Sequence, residues 1–168
     1  MSAQLQSFPP IVDQRSSVLI LGSMPGAASL KANEYYSHPR NHFWWIFGEL
    51  IGAKPELPYE KRVAVLQKHG IALWDVLARC ERPGSLDADI IEESIVTNDF
   101  AHFYRQYPRI WRVFFNGSKP RDSYQQYVLP ALRGLDAHIE YERLPSTSPA
   151  HAGRPVAEKL EAWRVVLG

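Results

Sequence analysis

A chain of 168 residues, 45% hydrophobic and 22% charged, has the size and make-up of one soluble globular domain with a sizeable core. A net charge of +1 excludes a global basic field, though not a local basic patch. The single cysteine, Cys80, excludes an internal disulfide and suits a reducing, cytoplasmic setting. No apolar run approaches the roughly 18 residues of a membrane span.

Met1 to Ser17 is polar, contains Pro9, Pro10 and Asp13, and does not read as a signal peptide. Residues 1–15 are predicted to be a surface lead-in to a single domain spanning 1–168. No internal repeat or association helix is evident, and a monomer is expected.

The first buried strand is predicted over Ser17 to Leu21. It stops at Gly22-Ser23-Met24-Pro25-Gly26, where two glycines and a proline favour a tight loop that lets backbone approach a ligand. An aromatic, polar segment follows, Tyr35 to Trp45 (YYSHPRNHFWW), with rings, amide, imidazole and one arginine suited to gripping a planar heterocycle and a phosphate. Asn41 is placed to cap a helix from His42 to Ile51, closed by Gly52. A second helix is predicted over Pro58 to His69, with Val63 and Leu66 inward and Gly70 ending it.

Ile71 to Val76 reads as a second buried strand, leading into Leu77 to Ser85, a loop by its end. Asn98 is expected to cap a short helix bearing Phe100, Phe103, Tyr104 and Tyr107 on one face. A third strand is predicted over Arg109 to Asn116, stopped by Gly117, with a helix over Asp122 to Leu132 after it. The fourth strand, His138 to Arg143, ends at Leu144-Pro145-Ser146-Thr147-Ser148-Pro149. Pro155 opens a last helix with an apolar stripe of Val156, Leu160, Trp163 and Leu167.

Strands alternating with helices predict an α/β fold: a three-layer α/β/α sandwich around a central, mostly parallel four-stranded sheet. Ligands of such sheets bind at the carboxyl ends of the strands. The loops after Leu21, Asp75, Asn116 and Arg143 would all open on that edge.

Four pieces in order carry a resemblance: GSMPG, YYSHPRNHFW, Trp74-Asp75-Val76-Leu77 and LPSTSPAHA. Together they resemble the uracil-DNA glycosylase superfamily, and within it the hypoxanthine-DNA (deoxyinosine) glycosylase branch. They are also similar to the mismatch-specific uracil/thymine-DNA glycosylases. The superfamily usually carries Asn or Asp at the third position of its first motif, where this chain has Met24. The second motif begins with Leu144 in place of the main uracil branch's histidine.

The resemblance implies a monofunctional DNA glycosylase acting on double-stranded DNA with a deaminated base, hypoxanthine first among them. The enzyme would flip the nucleotide out and hydrolyse its N-glycosidic bond, leaving an abasic site. It implies that Asn41 replaces the missing water-holder, against the plainer role of a helix cap. Gly22, Ser23 and Met24 would form the loop against the base. Tyr36 would stack on the base or simply pack under the loop. His38 would bond the base or a phosphate, or be structural. Trp74 and Asp75 lie where related enzymes read the base edge; Trp74 is equally a core residue, and Asp75 could accept a ring N–H.

Arg40, Ser146, Thr147 and Ser148 would contact phosphates, and Pro149, Ala150 and His151 would fill the hole left by the base. The same stretch also reads as a turn before the last helix. Lys119, Arg121, Arg143 and Arg154 could add local phosphate charge. No cofactor is expected. The histidines and lone cysteine lack a metal spacing, and neither Lys31 nor Lys119 has an activating neighbour for covalent catalysis. Two alternatives remain open: a uracil or G-mismatch pyrimidine glycosylase, and a catalytically idle binder of DNA or nucleotides. A cytoplasmic, nucleoid-associated location is expected.

Overall fold

The computed structural model describes residues 3–168. In chain order the strands are β1 (Gln4–Gln6), β2 (Val18–Gly22), β3 (Ile71–Asp75), β4 (Leu77–Glu81), β5 (Val96–Thr97), β6 (Arg112–Asn116) and β7 (Glu140–Leu144). Four of them form a parallel sheet in the order β3-β2-β6-β7. Every residue of β2 and β3 is buried, as strands covered on both faces must be.

The helices are α1 (Ala27–Ala32), α2 (Phe43–Ile51), α3 (Tyr59–Lys68), α4 (Phe100–Gln106), α5 (Ser118–Ser123), α6 (Leu129–Leu132) and α7 (Val156–Trp163). Because side chains alternate along a strand, the sheet divides the core in two. Leu19, Leu21, Ala72, Trp74, Val113 and Phe115 pack with Phe100, Phe103 and Tyr124. Val18, Ile20, Leu73 and Phe114 pack with Phe43, Phe47, Leu66 and Trp163. The result is the predicted α/β/α sandwich. Phe43, Phe47 and Trp163 are fully buried, and each stabilises its layer by roughly 1.5–3 kcal/mol relative to exposure.

Several elements differ from expectation. Residues 4–11 lie at the surface, as expected of a lead-in, and are also paired into the sheets. β1 pairs antiparallel with β4, Leu5 opposite Cys80, and Ile11 exchanges two backbone hydrogen bonds with Leu73 at 2.9 Å each. The segment thereby covers the outer edge of β3, whose N–H and C=O groups would otherwise lie unpaired. Residues 77–81, expected to run into a loop, form β4 at the centre of a small antiparallel sheet, β1-β4-β5.

The cap of α4 is Asp99, which accepts from the His102 N–H at 3.0 Å. Asn98 instead donates its amide to the Asp75 carbonyl at 2.7 Å, at the end of β3. The helix after β6 starts at Ser118 and contains a π turn, Tyr124–Val128. Pro130 follows it and lacks the N–H of the ordinary ladder, and Leu129 bonds the Tyr124 carbonyl five residues back. In the last helical stretch Val166 is buried and Leu167 is half exposed.

Candidate active site

The four parallel strands end at Gly22, Asp75, Asn116 and Leu144, with Gly22 beside Asp75 and Asn116 beside Leu144. By alternation these residues sit on the Phe43–Trp163 side of the sheet. The site therefore forms where the carboxyl edge meets the start of α2.

The Gly-Pro loop is pinned from behind. Its Gly22 and Ser23 carbonyls accept from the Val76 and Leu77 N–H groups at 2.8 and 3.1 Å. Ser23 donates its hydroxyl to Asp87. The buried Arg82 guanidinium donates to the carbonyls of Pro25 and Gly84 at 2.8 and 2.9 Å. Met24 turns its side chain into the core on the α4 side, so it offers the site backbone only.

Gly22 is a glycine because of close approach. A Cβ there would lie 2.7 Å from Asp75 Oδ1 and 3.2 Å from the Tyr36 hydroxyl. Tyr36 has φ +55°, a left-handed conformation that costs a bulky residue energy and is held by its surroundings. One face of its ring stacks on Phe43, with centroids 4.0 Å apart and planes 17° from parallel. Burial, then the nearby Asp75 carboxyl, holds its phenol well above the ordinary range, so it stays a neutral O–H.

Asp75 is 4% exposed. Burial pushes its carboxyl up to about 7, Asp87 adds to the rise, and Arg82 opposes it. Trp74, one residue earlier, points to the opposite face and packs on Phe100 and Phe103 at 4.9 and 4.5 Å. The strand's alternation thus brings Asp75 to the site and takes Trp74 into the core.

His38, Arg40 and Asn41 form a tight turn at the entrance to α2. The Asn41 N–H donates to the His38 carbonyl at 2.9 Å, and the Arg40 N–H to His38 Nδ1 at 3.1 Å. Accepting at Nδ1 puts the neutral ring's proton on Nε2. Asn41 Oδ1 accepts from the Phe43 N–H at 3.0 Å from one residue ahead of the N-cap of α2, which is His42, and a carbonyl oxygen has a second lone pair. Arg40 is exposed.

The loop after β7 is fastened at several points. The buried Thr147 hydroxyl accepts from Asn116 Nδ2, and its N–H donates to Asn116 Oδ1, both at 2.9 Å. Thr147, expected at the phosphates, has its hydroxyl oxygen and its N–H both engaged inward by Asn116. Its carbonyl accepts from the His42 N–H at 3.0 Å, joining this loop to α2. Ser146 is half-buried and accepts from the Ser148 N–H at 3.2 Å; its Cβ lies 3.1 Å from where Gly117 would carry one. Ser148 caps the short turn Pro149–His151, which leaves Ala150 and His151 exposed.

From α7, Trp163 donates to the Pro145 carbonyl and the buried Lys159 ammonium to the His151 carbonyl, each at 2.9 Å. Burial pulls Lys159 below the usual lysine range, and Arg154 pulls it further. Lys159, Asn116, Arg82 and Asp87 were not singled out as site residues from sequence. Lys159 lies three residues after Val156 on the apolar stripe, which was the one local signal. Three of the four distal cations meet carboxylates: Lys119 with Glu92, Arg121 with Asp122, and Arg154 with Glu158. Arg143 meets the Ser118 hydroxyl at 3.2 Å.

A pinned Gly-Pro loop, an amide at a helix start and a buried carboxyl gather at the carboxyl edge of the parallel sheet, the edge at which α/β enzymes bind their ligands. Comparison with known proteins gives the family. The model described as "Uracil DNA glycosylase superfamily" matches residues 9–166. A protein named "Hypoxanthine DNA glycosylase" from Methanosarcina barkeri is 39% identical over 159 residues, covering 94% of each chain. One of the same name from Methanosarcina acetivorans is 37% identical over 164 residues, covering 96% of this chain and 97% of its own. A solution NMR structure of a Methanosarcina acetivorans protein, provisionally described as a uracil DNA glycosylase, superposes with a TM-score of 0.77 at 33% identity, covering 99% of this chain and all of that one. The chain belongs to the uracil DNA glycosylase superfamily.

Proposed function

We propose that this protein removes hypoxanthine from double-stranded DNA by hydrolysing its N-glycosidic bond, leaving an abasic site and an unbroken strand. The observation that carries the reading is the near-full-length match to two relatives named Hypoxanthine DNA glycosylase. The protein acts as a monomer in the compartment that holds the DNA.

The extruded base enters between the Gly-Pro loop and the start of α2. Flipping costs a few kcal/mol, less for a mispaired base, which favours lesions over normal pairs. Asn41 Oδ1, already fixed by the Phe43 N–H, uses its second lone pair to hold the attacking water near the sugar. Asp75 and Tyr36 face the base across Gly22. Ser146, Ser148 and Arg40 contact the phosphates, and the Pro149–His151 turn occupies the vacated stack. The C–N bond breaks with its electron pair on the base, the water's oxygen bonds the sugar carbon, and the proton the water gives up ends on the released base.

Single-turnover cleavage tests this. Labelled duplexes carry one hypoxanthine, one uracil opposite guanine, or one xanthine, each with wild type and Asn41→Ala. Excision of hypoxanthine with a loss on Asn41→Ala on the order of a hundred- to a thousandfold supports the reading. Excision of uracil alone moves the substrate to the pyrimidine side. Lesion binding without any cleavage identifies an idle binder.

A further inference from the structure

Three buried polar atoms at the site have no hydrogen-bond partner among the described residues: the Tyr36 hydroxyl, Asp75 Oδ2 and, at the start of α2, His42 Nδ1. Buried polar atoms in folded proteins are nearly always satisfied, so the Tyr36 and Asp75 orphans, both beside Gly22, mark where a ligand completes the set. Both residues converge on the backbone of Gly22, where no side chain intervenes.

The surroundings do not suit an ionised Asp75. A buried carboxylate needs a cation or several N–H donors. The nearest carboxylate is Asp87, on the short turn Asp87–Asp89, already taking the Ser23 hydroxyl. The guanidinium on its side, Arg82 beyond the end of β4, spends its bonds on the carbonyls of Pro25 and Gly84. The segment between α1 and α2 presents the neutral phenols of Tyr35 and Tyr36. Burial first, then the Asp87 charge, with Arg82 opposing both, push the Asp75 carboxyl up to about 7.

We infer that Asp75 reads the base as a neutral carboxylic acid, its O–H donating to a ring carbonyl while its C=O accepts the adjacent ring N–H. The inference rests on the proposed function, in that the ligand is a deaminated base. Deamination turns an amino-bearing edge into a carbonyl beside an N–H. A carboxylic acid matches that edge with two coplanar hydrogen bonds. A carboxylate has acceptors only and faces the carbonyl with its lone pairs. The same edge occurs in hypoxanthine, xanthine and uracil, and also in guanine and thymine, so Asp75 tells a deaminated base from the adenine or cytosine it came from and leaves the remaining discrimination to the rest of the site.

The test is single-turnover hypoxanthine excision from pH 5.5 to 8.5 by wild type, Asp75→Asn and Asp87→Asn, with the wild-type Asp75 carboxyl carbon followed by NMR. The wild-type rate is expected to fall above about pH 7, approaching tenfold per pH unit. Asparagine offers the same donor and acceptor without titrating. Asp75→Asn should therefore lose the pH dependence at whatever absolute rate it retains. Asp87→Asn removes the like charge and should move the fall to lower pH, and it carries the test alone should Asp75→Asn not fold. Hypoxanthine excision that stays flat across this range, or an Asp75 carboxyl titrating as an ordinary aspartate, overturns the inference and leaves the function standing. A wild type that excises nothing at any pH overturns the functional reading, and this one with it.

Discussion

Thr147 closes both ends of the Asn116 amide. Its hydroxyl accepts from Nδ2 and its backbone N–H donates to Oδ1, each at 2.9 Å, and both residues are buried. The clasp ties the end of β6 to the loop after β7. Thr147→Val keeps the shape, leaves Nδ2 buried without an acceptor, and is expected to cost about 1–3 kcal/mol. Urea unfolding measures this. Affinity for a lesion duplex should fall as well, because the loop loses an anchor; a variant as stable as wild type would refute the clasp's importance.

Asn41 combines two duties that differ in size. Losing the bond from Oδ1 to the Phe43 N–H by Asn41→Ala should lower stability by about 1 kcal/mol, the usual worth of a helix-start acceptor. Loss of a positioned water should lower the excision rate on the order of a hundredfold or more. Thermal unfolding alongside single-turnover kinetics separates them. A rate loss no larger than the stability loss accounts for would leave Asn41 as a helix-start acceptor only.

Asp75 makes stability depend on pH. The folded protein keeps this proton up to about pH 7, whereas the unfolded chain releases it near 3.8. Between those values the folded state binds more protons, so stability falls as pH rises through the window. At 1.36 kcal/mol per pH unit the penalty above pH 7 is on the order of 4 kcal/mol. Asp75→Asn should gain on wild type as pH rises from 4 to 8. A stability difference that stays constant over that range would show that Asp75 ionises normally.

Gly22→Ala forces a methyl to within 2.7 Å of Asp75 Oδ1. Overpacking of this kind costs about 1–3 kcal/mol. Because the severe clash is with Asp75, the Tyr36 hydroxyl being merely tight at 3.2 Å, Gly22→Ala combined with Asp75→Ala should be more stable than the two separate losses add up to. Simple additivity in a denaturant series would place the strain elsewhere in the loop.

The main sheet was legible because Val18–Leu21, stopped by Gly22, and Ile71–Trp74, opened by Gly70, are unbroken apolar runs, and only a doubly covered strand reads that way. The site's location followed from the same strands, since parallel strands put all their carboxyl ends on one edge. Asn41 was legible by type and position. What stayed hidden depends on partners far along the chain. Gln4–Gln6 is a polar tripeptide with no strand pattern of its own, and it is a strand because Arg79–Glu81 pairs with it. The helix-start aspartate was missed because Asn98 and Asp99 are both good caps, and the carbonyl at the end of β3 claimed the first. Thr147 resembles any loop threonine until Asn116 is opposite it. Of the two readings of Trp74 the structure takes the core one, because alternation on β3 cannot present both Trp74 and Asp75 on one side.

The order β3-β2-β6-β7 contains no pairing between neighbours joined by a tight turn. Val18 must find both Ile71 and Arg112, and Arg112 must find Glu140. Each pairing closes a long loop before any contact rewards it, which places folding towards the slow end for a domain of this size. Until β3 and β6 arrive, the run Val18–Leu21 lies uncovered, and it is the segment through which unfolded copies would aggregate. Refolding yield should therefore drop steeply with protein concentration even where the native state is stable.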